Sequence, residues 1–365
     1  MQRSYRLMSW FAAGLVVTAG IWMPQPAQAQ FGGSPAEIAQ QLELEKTYPK
    51  LQITDDFLGL TIPGYTMGQS VGVSTDSSGD LFVYSRSNPQ GIARGGKAAM
   101  LWEFGPAPDY KFIKEWGPNN YAESFAHAVR VDSQNNVWIV DEGSGMVVKF
   151  NPEGVSTEWL GRTPEAIDYL ETNLQRMVRP GATPAPEHPV GRVGEFDRPT
   201  DVAWDPQGDI FVSDGYGNSR IVKIAPGGKW LKEVGTYGSG QDQFKTPHSI
   251  AADNQGNIYV ADRGNRRIQV YNSDLQYQRT ITGVGMPWEV CITPGSEQYL
   301  FTGDGTTGKL FKLSLSGKVL GWAQTSLGHG EDDTGDLIHA IACPSANLLY
   351  LGSASMLDVQ KVTIQ

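Results

Sequence analysis

Three histidines open three look-alike segments of this chain: HAVRVDSQNNVWIVDE (127–142), HSIAADNQGNIYVADR (248–263) and HAIACPSANLLYLGSA (339–354). The sequence contains five histidines in all, so more than half of them share one position of a repeating pattern. Neutral imidazoles converging on a point, with a fourth position open, form the ligand set of a catalytic zinc site. Imidazole also suits copper, iron and nickel. One histidine at such a place would be expected to cap a strand end or bond a backbone carbonyl. Three at one register, His127, His248 and His339, are read as a metal site. His188 and His329 fall in loop sequence outside the pattern.

For these histidines to meet, the elements carrying them must be arranged around an axis. Three more segments repeat the pattern without histidine: VGVSTDSSGDLFVYSR (71–86), TDVAWDPQGDIFVSDG (200–215) and WEVCITPGSEQYLFTGDG (288–305). There the position of His248 is taken by Val71, Thr200 and Trp288, so histidines occupy alternate copies, the second, fourth and sixth. Each copy reads as a strand, a polar turn rich in Asp, Asn, Gly or Ser, and a second strand rich in Val, Ile, Phe and Tyr. Copies three and four lie 48 residues apart and continue into a third strand, NSRIVKI (218–224) and NRRIQVY (265–271). That spacing is the period of a four-stranded propeller blade.

The expected fold is therefore all-β, a six-bladed propeller over residues 63–365. Innermost strands line a central channel, so equivalent positions in alternate blades stand about 120° apart and face one another. The last stretch, VQKVTIQ (359–365), reads as a third strand, and the outermost strand of blade six is expected from LQITDDF (51–57) in the N-terminal segment 30–62. Such closure would leave no open sheet edge. One segment breaks the period. Within 161–193, Thr163 and Pro164 start a pattern with Ile167, Leu170, Leu174 and Met177 on one face, followed by a Pro-rich run. It predicts a short helical insert between blades two and three, a surface elaboration of the rim.

The first 29 residues hold Arg3 and Arg6, an apolar run from Trp10 to Trp22 and then Ala27-Gln28-Ala29. This is the pattern of a secretory leader cleaved after Ala29, placing the mature protein outside the cell or in the periplasm. Its removal takes two of 29 basic residues and none of 39 acidic ones, moving the net charge from −10 to −12. Nucleic acid is excluded as a partner on that balance, and no further apolar run is long enough to hold a membrane once the leader is gone. Cys291 and Cys343 allow one disulfide and no disulfide framework. The oligomeric state is left open.

At FVSDGYGNSRIVKI (211–224) and around His248 the sequence resembles the NHL-repeat propellers, and among them the peptidyl-α-hydroxyglycine α-amidating lyases. That family splits a C-terminal α-hydroxyglycine into a peptide amide and glyoxylate. The resemblance implies a zinc held by His127, His248 and His339, a catalytic Tyr216 in the DGY-x-NSRI stretch, and two substrate-side arginines, Arg86 and Arg263. Arg220 and Arg267, in the Asn-x-Arg-Ile slot, are assigned to structural pairing with the repeat's own aspartates. The chain departs from the family at Leu337, where a methionine is usual, and at Ala340, where a carboxylate helps to hold calcium. Cysteines of the family are replaced by Gly217 and Val270.

The resulting expectation is a secreted zinc-dependent lyase acting on a small-molecule or peptide C-terminal α-hydroxyglycine or a similar α-hydroxy-N-acyl carboxylate. The alternative is a non-catalytic NHL propeller that binds a protein or peptide, and Tyr216 with the two arginines separates the two, since a scaffold does not require them. A sugar-lactonase-like propeller would need a cage of carboxylate and amide oxygens, against which the histidine register speaks.

Overall fold

The structure is a computed structural model that describes residues 34–86, 98–161, 191–305, 307–327 and 338–365. The leader, the expected helical insert, His188, His329 and Leu337 lie outside the described residues. Six four-stranded antiparallel sheets stand around one axis, the first five built in chain order from the inside out. The innermost strands are Ser70–Thr75, Ala126–Val131, Asp201–Trp204, Pro247–Ala252, Pro287–Ile292 and Ile338–Ala342. Each lies beside the next, and the first lies beside the last, so the ring is closed. In blade six the outer strand is Ile53–Phe57, hydrogen-bonded antiparallel to Gln360–Ile364.

Local chemistry explains the repeated strand–turn–strand. In blades one to four the turn opens on Asp76, Asp132, Asp205 or Asp253, whose Oδ1 accepts from two backbone N–H groups further along at 2.8–3.0 Å. An aspartate there replaces the backbone partner that a tight turn would lose. Strands from neighbouring blades then face each other across apolar layers. Tyr84, Trp116 and Phe150 fill the contact between blades one and two, and Phe244, Ile258 and Tyr271 that between three and four. A disulfide, Cys291–Cys343, joins blades five and six.

Among the described residues, the α-helix is Pro35–Glu45, in the N-terminal segment rather than in a blade. It has a full capping box: Ser34 Oγ accepts from Glu37 N–H, and the Glu37 carboxylate accepts from Ser34 N–H. Its Glu45 pairs with Lys309 of blade five at 2.5 Å. No helix among the described residues is long and apolar enough to cross a membrane. The end of the channel away from the histidines opens into a cavity of about 330 Å³, with Arg130 and Ile341 among its lining residues.

Candidate metal centre

The inner strands are regular except at one place. In blades one, two, four, five and six the pairing with the second strand shifts register around Val71, His127, His248, Trp288 and His339, so each is the unmatched residue of a β-bulge. A bulge re-aims a side chain and leaves local backbone groups outside the ladder. Both effects are used here. The three histidines turn inward, with ring centroids 4.7, 4.8 and 5.0 Å apart. The intervening blades supply carbonyls at the same register: Thr200 O is 2.6 Å from His127 Nδ1, Trp288 O 2.6 Å from His248 Nδ1, and Val71 O 2.7 Å from His339 Nδ1. Thr200 is not in a bulge, but its carbonyl lies just ahead of the blade-three strand.

A carbonyl can only accept, so each Nδ1 carries the proton and each Nε2 keeps a lone pair. Burial holds all three imidazoles well below their ordinary pKa, with the nearby arginines adding to the effect, and so keeps them neutral. The ligand nitrogens lie within 4.8 Å of one another. Neutral nitrogen donors, fixed in tautomer by backbone carbonyls and buried to 1–2% exposure, fit a divalent transition metal.

A second layer of side chains comes from one other repeat position, at or just past the end of the second strand in blades one to five. Its backbone N–H donates to the carbonyl two residues before the register of the histidines: Arg86 to Gln69, Glu142 to Phe125, Tyr216 to Arg198, Arg263 to Thr246 and Gly305 to Met286. The loops that make this possible are held by buried aspartates. Asp141, Asp214, Asp262 and Asp304 accept from Phe125, Asp197, Lys245 and Met286 N–H at 2.7–2.9 Å. Arg220 and Arg267 pair with Asp214 and Asp262, the structural role expected of them.

The structure brings Tyr216 and Arg263 to the histidines directly. Tyr216 Oη lies 2.9 Å from His248 Nε2 and 3.3 Å from His127 Nε2, and Arg263 Nη1 lies 3.4 Å from the same phenol oxygen. Arg263 makes no ion pair with Asp262 or Asp214 among the described contacts; it lies 4.4 Å over the Trp288 ring instead. Arg86 stands on the opposite side, bonded to Ala126 O and Gln69 Oε1 and 3.9 Å over Phe125. Its charge acts on His127 and His339. Ala340 is buried beside His339 and offers no carboxylate.

Three residues escaped the sequence reading. Trp288 packs 5.0 Å from His248 and 5.8 Å from His339, a wall made possible by Gly305, whose Cβ would fall 1.6 Å from the indole nitrogen. Glu142 shares the repeat position of Arg86 and Arg263, a signal present in the last column of the aligned copies. Arg198 places its guanidinium 4.8 Å from the Tyr216 ring centroid and bonds Glu142.

The NHL repeat model matches residues 196–224 and 244–271, in blades three and four. The chain is 29% identical over 261 residues to human (Homo sapiens) NHL repeat-containing protein 3, covering 70% of this chain and 65% of that protein. It is 26% identical over 337 residues to peptidyl-alpha-hydroxyglycine alpha-amidating lyase 1 of Drosophila melanogaster, covering 85% and 56%. It thus spans less than two thirds of either relative. Virginiamycin B lyase from Staphylococcus aureus shares the fold, with a TM-score of 0.53 at 12% identity over 87% of this chain and all of that one. The chain is an NHL-repeat six-bladed β-propeller that resembles the peptidyl-α-hydroxyglycine α-amidating lyases.

Proposed function

We propose that this protein is a secreted or periplasmic zinc-dependent lyase that cleaves a C-terminal α-hydroxyglycine, or a similar α-hydroxy-N-acyl carboxylate, to an amide and glyoxylate. The observation that carries the reading is the phenol of Tyr216, set within hydrogen-bond reach of two histidine Nε2 atoms and one guanidinium. A binding scaffold has no use for a base at that point. Export is supported by the leader pattern of residues 1–29 and by the Cys291–Cys343 disulfide, which suits an oxidising compartment.

Zinc held by His127, His248 and His339 would make a hydroxyl beside it more acidic. Tyr216, acting as its phenolate, takes the hydroxyl proton, the C–O bond becomes a carbonyl, and the C–N bond breaks. The departing amide nitrogen then recovers the proton from Tyr216, so the residue ends as it began. Arg86 and Arg263 offer forked, permanently charged donors for the substrate carboxylate. Trp288 closes one wall against water.

The test is glyoxylate release from benzoyl-α-hydroxyglycine by the zinc-loaded protein. Tyr216→Phe is expected to keep its metal and lose about 10²- to 10⁴-fold in turnover, the range for a general acid–base group. No glyoxylate above the metal-free control would remove the lyase reading for this substrate class and favour a non-catalytic propeller.

A further inference from the structure

The repeat position that supplies Arg86, Tyr216 and Arg263 supplies a carboxylate, Glu142, in blade two. Glu142 is 3% exposed, and its Oε1 accepts from Arg198 Nε at 2.9 Å and from Arg198 Nη2 at 2.6 Å. The Arg198 side chain is 42% exposed, at the mouth of the histidine cup. Its guanidinium lies 4.8 Å from the centre of the Tyr216 ring, while Arg263 lies 5.3 Å from the same centre.

The backbone of Arg198 belongs to the repeat and explains nothing about its side chain. It is left-handed, φ 62°, and is followed by Pro199; Thr246 in blade four has φ 58° and is followed by Pro247. Both carbonyls accept an N–H from the same repeat position. Threonine therefore serves the backbone as well as arginine does, and an arginine here has another task. The turn it faces is held closely: Gly217 N–H donates to Asp197 O at 2.9 Å, and a Cβ on Gly217 would fall 2.1 Å from the Asp197 carboxyl carbon. The phenol side chain has no comparable restraint in the turn itself. Its ring is held by what flanks it.

We propose that Arg198 is a positioning residue: braced by Glu142 of blade two, it holds the Tyr216 ring of blade three so that the phenol oxygen stays over His127 and His248. A stacked guanidinium attracts an aromatic face, and tying it to a buried carboxylate fixes where that attraction acts. The kinetic arm of the test rests on the lyase reading; the spectroscopic arm does not.

Arg198→Ala is expected to lower kcat about tenfold with KM nearly unchanged, Arg198→Lys to recover part of the loss, and Glu142→Gln to reproduce it more weakly. In a Tyr216→Phe background Arg198→Ala should cost less than about twofold, because the phenol it positions is gone. An equal tenfold loss in both backgrounds would overturn the proposal. Independently of activity, among the tyrosine ¹⁹F resonances of protein labelled with 3-fluorotyrosine, the one assigned to Tyr216 by its absence in Tyr216→Phe should shift or broaden in Arg198→Ala and Glu142→Gln. A Tyr216 resonance identical in wild type and both variants would also overturn it. Loss of glyoxylate release in wild type together with a moved resonance would leave the brace standing and remove the lyase.

Discussion

Two neighbouring tiers of the channel are built on the same inner strands, and they differ in whether they already hold a cation. In the first, His127, His248 and His339 spend one nitrogen each on a backbone carbonyl and turn the other, with its lone pair, toward the axis. In the second, one to three residues further along, charges satisfy one another. Arg130 bonds Asp201 at 2.5 Å and also Glu289 and Ile341 O, and Ser249 Oγ lies 2.7 Å from Asp201 Oδ2 and 2.8 Å from Glu289 Oε1. Burial pushes the Glu289 carboxyl up, against the pull of Arg130. The contrast shows how one scaffold makes an open site and a closed one at adjacent depths. Donors that are fixed but not neutralised invite an ion, whereas the second tier already contains its cation.

Breaking the first tier should have the largest effect. His248→Ala is expected to reduce bound transition metal from about one ion per chain to a small fraction, read by elemental analysis after dialysis. Acid should act in the same direction, because each ligand must be neutral. Burial depresses the three pKa values, so metal loss should begin at a lower pH than for exposed histidines.

Breaking the second tier should cost stability rather than metal. Arg130→Met leaves Asp201 and Glu289 buried without their cation, a change worth about 3–5 kcal/mol when one partner of a buried pair is removed. The check is a fall in the denaturant midpoint with metal content retained; loss of metal in step with stability would show that the tiers are not separate. Replacing both Cys291 and Cys343 by alanine removes a crosslink across 52 residues and is expected to cost about 2–4 kcal/mol, again without touching metal content.

The two tiers were unequally legible in the sequence. The first could be read because six copies of one unit can be laid under one another, so His127, His248 and His339 fall in a single column. The same comparison carried one column further would have flagged Asp201, Ser249 and Glu289, which follow Thr200, His248 and Trp288. The bulges could not be read, since a one-residue register shift leaves strand composition unchanged. Nor could the carbonyl partners of the histidines, which are backbone atoms and independent of residue type. Tyr216 and Arg263 stand at one repeat position despite an offset in sequence. In blade three Arg220 comes six positions after Asp214, where in blade four Arg267 comes five after Asp262, the extra residue preceding Tyr216. Arg198 has a threonine as its counterpart in blade four, so no column marks it.

Anomalous diffraction at the zinc edge, from crystals of the metal-loaded protein, tests the contrast between the tiers most directly. The account predicts a single strong peak on the channel axis, about 2.0–2.1 Å from the Nε2 atoms of His127, His248 and His339, and none beside Arg130. A map with no peak among the three histidines, or with its peak between Asp201 and Glu289, would contradict it.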